Sequence, residues 1–155
     1  HLGKVAFTTK ESSVKYMKSS YRISPIGKKG SQYPSCWEMP VKSWITRPTD
    51  ETGTVKAGKV QIVGVAMGGT KKVRSVKVSV DGGSSWKKAK FIGPNLGKYA
   101  WRQFVLETTL SAGTYNIASL ASNGGNDKQP ELRMENRRGY AHNGWKDHSV
   151  NITVV

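Results

Sequence analysis

The sequence predicts an all-β fold, an antiparallel β-sandwich that follows an irregular N-terminal arm. From Val41 onward, short β-branched and apolar runs alternate with glycine-rich turns. In one run, Val76, Val78 and Val80 alternate with polar residues, so one face of that strand is buried and the other is solvated. No long stretch requires a helix. About seven short strands separated by such turns are typical of an immunoglobulin-like (E-set) sandwich.

The arm is predicted to comprise residues 1–40. These residues are basic, are interrupted by prolines and glycines, and show no sustained helical period, as in a linker or a segment that packs on another body. The sandwich is predicted to comprise residues 41–155. Its strands are expected, in chain order, at Val41–Thr46, Val60–Ala66, Val73–Val80, Trp86–Phe91, Ala100–Thr108, Thr114–Ala121 and Val150–Val155.

A tight hairpin is predicted at Asp81-Gly82-Gly83, between two of these strands. The aspartate can accept hydrogen bonds from the free amides of the turn, and glycine reaches positive φ without strain. The segment is similar to the Asp-box hairpin of propeller-type glycan hydrolases. A propeller repeats that unit in each blade, whereas this chain contains it once, so the hairpin is interpreted as a fold element.

The composition favours an anionic partner. Lysine and arginine total 25 against 10 acidic residues, which gives a formal net charge of +15. Nucleic acid, an acidic protein and a charged substrate are all compatible with that charge. The lone Cys36 excludes an intrachain disulfide, and the three histidines show no zinc-ligand or catalytic-triad spacing. No apolar run is long enough to span a bilayer.

The candidate functional residues lie between Asn136 and Trp145. Arg137 and Arg138 precede a glycine, and two adjacent guanidiniums repel each other unless an anion lies nearby. Asn143 can donate and accept hydrogen bonds, and Trp145 can exclude water. These four residues are predicted to bind a small oxyanion or a carboxylate. In the alternative interpretation, one arginine pairs with Glu131 or Glu135 and the tryptophan belongs to the core.

Several segments, in the same order along nearly the whole chain, carry a resemblance to a known family. They are Leu2–Val5, Tyr21–Ile23, Pro40–Pro48, Gly64–Ala66, Val73–Trp86, Ala100–Arg102, Gln129–Pro130 and Asn136–Trp145. Together they resemble the C-terminal dimerisation domain of the sulfite oxidase family of molybdopterin enzymes, which includes sulfite and sulfane dehydrogenases and plant nitrate reductase. Phe104 stands where the family usually has a second tryptophan, and Asn123 stands where an aspartate is usual.

The resemblance implies that this chain is one domain of a larger enzyme and that the other domains of that enzyme carry out the chemistry. It implies a homodimer-forming domain whose Arg138 enters the sulfite or sulfate pocket beside the molybdenum, while Arg137 occupies a position that is commonly apolar. Molybdenum–molybdopterin would be held by a preceding domain, so no cofactor, metal or catalytic residue is assigned to this chain, and by itself it is expected to be inactive. The further partners implied are that molybdopterin domain and a cytochrome c-type electron acceptor, and bacterial relatives imply a periplasmic location. The substrate stays open among sulfite, other sulfur oxyanions and nitrate.

The first residues, from His1 onward, have the character of sequence from within a longer protein, so a fragment or a processed chain is expected. A free-standing immunoglobulin-like module that binds a polyanion is the alternative function, and the net charge is its support. The lysines are scattered, however, and no nucleic-acid motif or membrane segment is present, so neither nucleic acid nor a membrane is expected as a partner. Glycan hydrolysis requires two positioned carboxylates, which this acid-poor chain is not expected to provide.

Overall fold

The computed structural model describes residues 2–155 and confirms the all-β sandwich. Its strands are β1 Lys42–Arg47, β2 Gly58–Met67, β3 Val73–Ser79, β4 Lys87–Lys88, β5 Lys90–Ile92, β6 Arg102–Leu110, β7 Gly113–Asn123 and β8 Val150–Val154. One short helix, α1, spans Lys15–Ser19, and 3-10 turns occur at Gly30–Gln32, Asp50–Thr52 and Lys146–His148. Within residues 2–155, no helix is long and apolar enough to cross a membrane.

The strands form two four-stranded antiparallel sheets, ordered β1-β2-β6-β5 and β4-β3-β7-β8. Alternate side chains from both sheets form one hydrophobic core, as the period-two pattern predicts. Ile62 and Phe104 represent the first sheet in this core, and Val76 and Ile117 represent the second. All four side chains are fully buried, which fixes the register of their strands.

The predicted strand at Trp86–Phe91 is in fact two strands that belong to different sheets. Lys87–Lys88 pairs with β3, whereas Lys90–Ile92 pairs with β6. Ala89 lies between them, is buried, and donates its backbone N–H to the carbonyl of Val76 at 2.9 Å. The chain therefore crosses from one sheet to the other at this residue. The expected seven strands become eight because an apolar run does not reveal which strand each of its halves pairs with.

The Asp81 hairpin is a fold element, as predicted. The Asp81 carboxylate accepts hydrogen bonds from the Ser79 hydroxyl at 2.6 Å and from the Ser85 amide at 2.9 Å, and the Ser85 hydroxyl bonds to it as well. These bonds, that of Ser79 foremost, lower the pKa of Asp81 to about 2. The carboxylate is thus ionised throughout the neutral range. Its contribution to stability is fully present above the ordinary aspartate pKa of 3.8 and is lost progressively as the pH falls from there through about 2.

The chain forms two compact units. The first contains the chain up to Trp37 together with Glu135–Ala141, and the second contains Glu38–Met134 and His142–Val155. The sequence predicts residues 135–141 in the sandwich, whereas the structure groups them with the N-terminal part. The Arg137 amide donates to the Ser24 carbonyl at 3.0 Å, and the rings of Tyr21 and Tyr140 stack with centroids 5.9 Å apart. The division into residues 1–40 and 41–155 stays a prediction.

Candidate functional site

Asn136 builds the turn that carries the two arginines. Its side chain is buried, and its Oδ1 accepts the backbone N–H groups of Arg138 at 3.3 Å and Tyr140 at 3.0 Å. Its Nδ2 donates to the carbonyl of Tyr140 at 2.7 Å. Gly139 takes φ +70° at the sharpest point of the turn, where a side chain would be strained. One asparagine thus fixes the backbone from Arg138 to Tyr140 from the inside.

Both arginine side chains project from this turn into solvent. Arg137 and Arg138 are exposed, and within residues 2–155 neither guanidinium makes a hydrogen bond or an ion pair. The alternative pairing with Glu131 is not seen, because Glu131 accepts from Lys146 Nζ at 3.2 Å. Two adjacent cations without a carboxylate form a surface suited to an incoming anion.

Asn143 and Trp145 lie in the second compact unit, whereas Arg137 and Arg138 lie in the first. Asn143 Nδ2 donates to the Val41 carbonyl at 3.1 Å, which attaches this segment to the start of β1. Trp145 is buried, its backbone N–H donates to the Pro130 carbonyl at 2.9 Å, and its ring meets Trp86 edge-on at 5.1 Å. Both side chains thus have structural partners, and their part in binding an anion stays a prediction.

Two residues that organise this region, Asn136 and Gln129, have no functional role that the sequence alone predicts. Asn136 is predicted only as a flanking residue, although asparagine side chains commonly hydrogen-bond the backbone two residues further on and so form turns. Gln129 is 3% exposed, and its side chain makes four hydrogen bonds, which join β1, β7 and the segment before Trp145. A glutamine before a proline is usually exposed, so no sequence signal identified its burial.

A cluster of polar residues, of which His142 and His148 are half-buried, lies at the end of the same segment. Asp147 accepts from Arg133 at 3.0 Å and lies 3.3 Å from His142 Nε2. The rings of His142 and His148 have centroids 4.9 Å apart. Burial, followed by the nearby charges of Lys42 and His142, lowers the pKa of His148. The neutral imidazole is therefore favoured at this position.

The described residues do not fit a molybdenum cofactor. Within residues 2–155, no group of three or more histidine, cysteine or acidic side chains could hold a metal ion. Burial raises the pKa of the Cys36 thiol, and the charge of Arg22 only partly opposes this effect. The thiolate form that binds a metal is thus disfavoured at Cys36.

Comparisons with known proteins agree on one family. The model of the Mo-co oxidoreductase dimerisation domain matches residues 33–155. Mitochondrial sulfite oxidase of Homo sapiens is 39% identical over 129 residues, and that of Macaca fascicularis is 38% identical over 130 residues. These matches cover 78% and 79% of this chain but only 23% of each relative. The crystal structure of the sulfane dehydrogenase SoxCD from Paracoccus pantotrophus shares the fold, with a TM-score of 0.65 and 24% identity over 91% of this chain and 38% of that chain.

Proposed function

Because the chain belongs to the Mo-co oxidoreductase dimerisation domain family, we propose that it is the dimer-forming part of a sulfite-oxidising molybdenum enzyme. The chain spans 23% of the length of the human and macaque sulfite oxidases that it matches. In this proposal, the cofactor and the chemistry belong to the rest of the enzyme, and this chain supplies an anion-binding arginine and a contact with a second copy. A cytochrome c-type electron acceptor and a periplasmic location complete the proposal.

The exposed guanidinium of Arg138 carries the oxyanion part of the proposal. The Asn136 turn fixes the backbone that presents it, and within the described residues no acid neutralises it. Sulfite and sulfate offer several oxygens to a planar fork of N–H donors, a geometry that arginine satisfies better than lysine. Within the complete enzyme, such a group raises the local concentration of the anion and orients it.

Replacement of Arg138 by alanine in the complete enzyme is expected to raise the KM for sulfite by about tenfold or more, equivalent to about 1.4 kcal/mol of lost binding. The measurement is steady-state kinetics with sulfite and an electron acceptor. Arg47 provides a matched control because it is an exposed arginine in β1, and Arg47→Ala should leave KM unchanged. An unchanged KM in Arg138→Ala would remove Arg138 from the pocket.

An exposed apolar surface supports the dimer part of the proposal. Ile92, Tyr99 and Trp101 are 43%, 41% and 40% exposed, and the Trp101 ring lies 4.6 Å from that of Trp44. Ile92 ends β5, which is an edge strand of its sheet. Exposed aromatic and aliphatic side chains are typical of the core of a protein–protein interface. In a dimerisation domain, a second copy is the occupant that this surface fits.

Introduction of charge at this surface is expected to separate the protomers. The double variant Ile92→Glu/Trp101→Glu places two carboxylates where the interface excludes water, and it should sediment as a monomer at concentrations at which the parent protein is a dimer. Leu132→Glu is the control, since Leu132 is exposed elsewhere and its charge should leave the dimer intact. A variant that stays dimeric would place the interface on another surface.

A further inference from the structure

A second basic surface lies on the outer side of the β4-β3-β7 strands, and it belongs to neither part of the proposed function. We name it the basic face. Its residues are cations and neutral hydrogen-bonding groups that line a shallow hollow of ≈ 410 Å³: Arg74, Ser75, Lys77, Lys88, Ser122, Asn126 and Lys128. No acidic residue lines this hollow.

Strand register brings two of its lysines together. Lys77 and Lys88 are direct partners across the antiparallel β3–β4 pair. Like charges directly opposite each other destabilise a sheet, and this pair ends at a two-residue edge strand. Exposure to solvent explains why residues 77 and 88 are polar, but it does not explain why both carry a positive charge. The pairing is thus a cost to the fold that a bound anion would relieve.

The remaining cations of the basic face also lack an acidic partner. Within residues 2–155, no ion pair involves Arg74, Lys77, Lys88 or Lys128. Among the described residues, the Arg74 side chain makes one hydrogen bond, to the neutral amide of Asn126 at 3.4 Å. The hydroxyls of Ser75 and Ser122 bond to each other at 2.8 Å. The positive potential of the four side chains is therefore not cancelled by an ion pair among the described residues, and it extends into solvent.

The form of the basic face favours a macromolecular surface over a small enclosed ligand. Its four cationic side chains are all exposed, and the two serines are only half-buried, so no closed pocket surrounds the hollow. No aromatic side chain lines it, which disfavours the base stacking on which single-stranded nucleic-acid sites depend. Lysine predominates, and its flexible point charge suits carboxylates that need no fixed geometry.

We infer that the basic face docks an acidic segment of a partner protein, rich in aspartate and glutamate. The complementary charges give fast, salt-sensitive association rather than a permanent interface. Docking here requires neither Arg138 nor the Ile92–Trp101 surface. If the basic face does not bind an acidic segment, the proposed function is unaffected. If the proposed function is wrong, the inference about the basic face is likewise unaffected.

The test is the binding of a fluorescein-labelled polyglutamate peptide to the 155-residue chain, followed by anisotropy at about 50 mM salt, where exposed charges are weakly screened. Lys77→Glu/Lys88→Glu should weaken binding by about tenfold or more, because two attractive charges become repulsive. Lys56→Glu/Lys59→Glu is the matched control, since it makes the same change in net charge at two other exposed lysines. This control should bind nearly as tightly as the parent chain.

Equal loss in both double variants would show attraction to net charge alone and would overturn the inference. If the glutamate variant does not fold, Lys77→Gln/Lys88→Gln replaces it and should still weaken binding relative to Lys56→Gln/Lys59→Gln. A duplex DNA probe tests the other class of partner. Tighter binding of the duplex than of polyglutamate, through the same two lysines, would overturn the assignment to an acidic protein.

Discussion

Trp145→Ala is expected to lower the free energy of unfolding by about 3–5 kcal/mol, in the range of buried tryptophan and phenylalanine truncations. The indole is 8% exposed and meets Trp86 edge-on. It also covers Gly83 so closely that a Cβ added at Gly83 would collide with the indole ring. Alanine would leave a cavity between the Asp81 hairpin and the segment that leads to β8.

Urea unfolding of the parent chain and the variant measures this effect. Trp145→Phe keeps an aromatic ring and should lose less stability. Trp101→Ala is the matched control because its side chain is 40% exposed, and in the monomer it should cost far less than Trp145→Ala. Equal losses at Trp101 and Trp145 would contradict the structural role of Trp145.

The same variants separate stability from anion binding. The sequence predicts that Trp145 excludes water from an anion site, and that role stays a prediction. If Trp145 acts only through packing, Trp145→Phe in the complete enzyme should keep the KM for sulfite close to that of the parent. A raised KM for sulfite in a variant of normal stability would instead support a role for Trp145 in the anion site.

Local patterns predicted most of the sandwich. The alternation of Val76, Val78 and Val80 identified a half-buried strand, and the glycines after Asp81 identified the hairpin. Both features depend on neighbours in the sequence, so the sequence contains the necessary information. The transfer at Ala89 depends instead on which strands lie on either side of it, and this is a long-range property.

In the candidate site, too, local sequence patterns predict the turn but not its long-range contacts. The adjacent arginines and the following glycine are visible in the sequence, and they indicate an exposed cationic turn. The contact of Arg137 with Ser24 joins residues more than a hundred positions apart, so no local pattern could group residues 135–141 with the N-terminal part. The burial of the Gln129 amide could not be predicted for a related reason, because its four hydrogen bonds reach three separate segments, at Ser43, Ala121 and Asn143.

Gln129→Leu is expected to destabilise the chain by about 2–4 kcal/mol, because it removes the partners of several buried polar groups at once. Gln129 Oε1 accepts from the Ala121 amide at 2.8 Å and from the Ser43 hydroxyl at 2.5 Å. Its Nε2 donates to the carbonyls of Ser43 at 3.3 Å and Asn143 at 3.1 Å. The amide thus uses both donors and both acceptor positions.

Gln61→Leu is the matched control, since Gln61 is exposed and, among the described residues, its side chain bonds to Glu107 alone, at 2.9 Å. Its effect should lie within about 0.5 kcal/mol of zero. The Ser43 hydroxyl keeps a bond to Ser119 at 3.0 Å, so the main penalty of Gln129→Leu falls on the Ala121 amide and the two carbonyls. Gln129→Leu with the stability of the parent chain would show that water or backbone movement satisfies these groups.

A double-mutant cycle with Trp145 tests whether Gln129 also holds the segment that carries the tryptophan. Gln129 bonds to the carbonyl of Asn143, two residues before Trp145. If the two side chains stabilise one segment, the loss in Gln129→Leu/Trp145→Ala should be smaller than the sum of the single losses by about 0.5–3 kcal/mol, because the segment can be released only once. Additive losses would instead assign Gln129 to the β1–β7 contact alone.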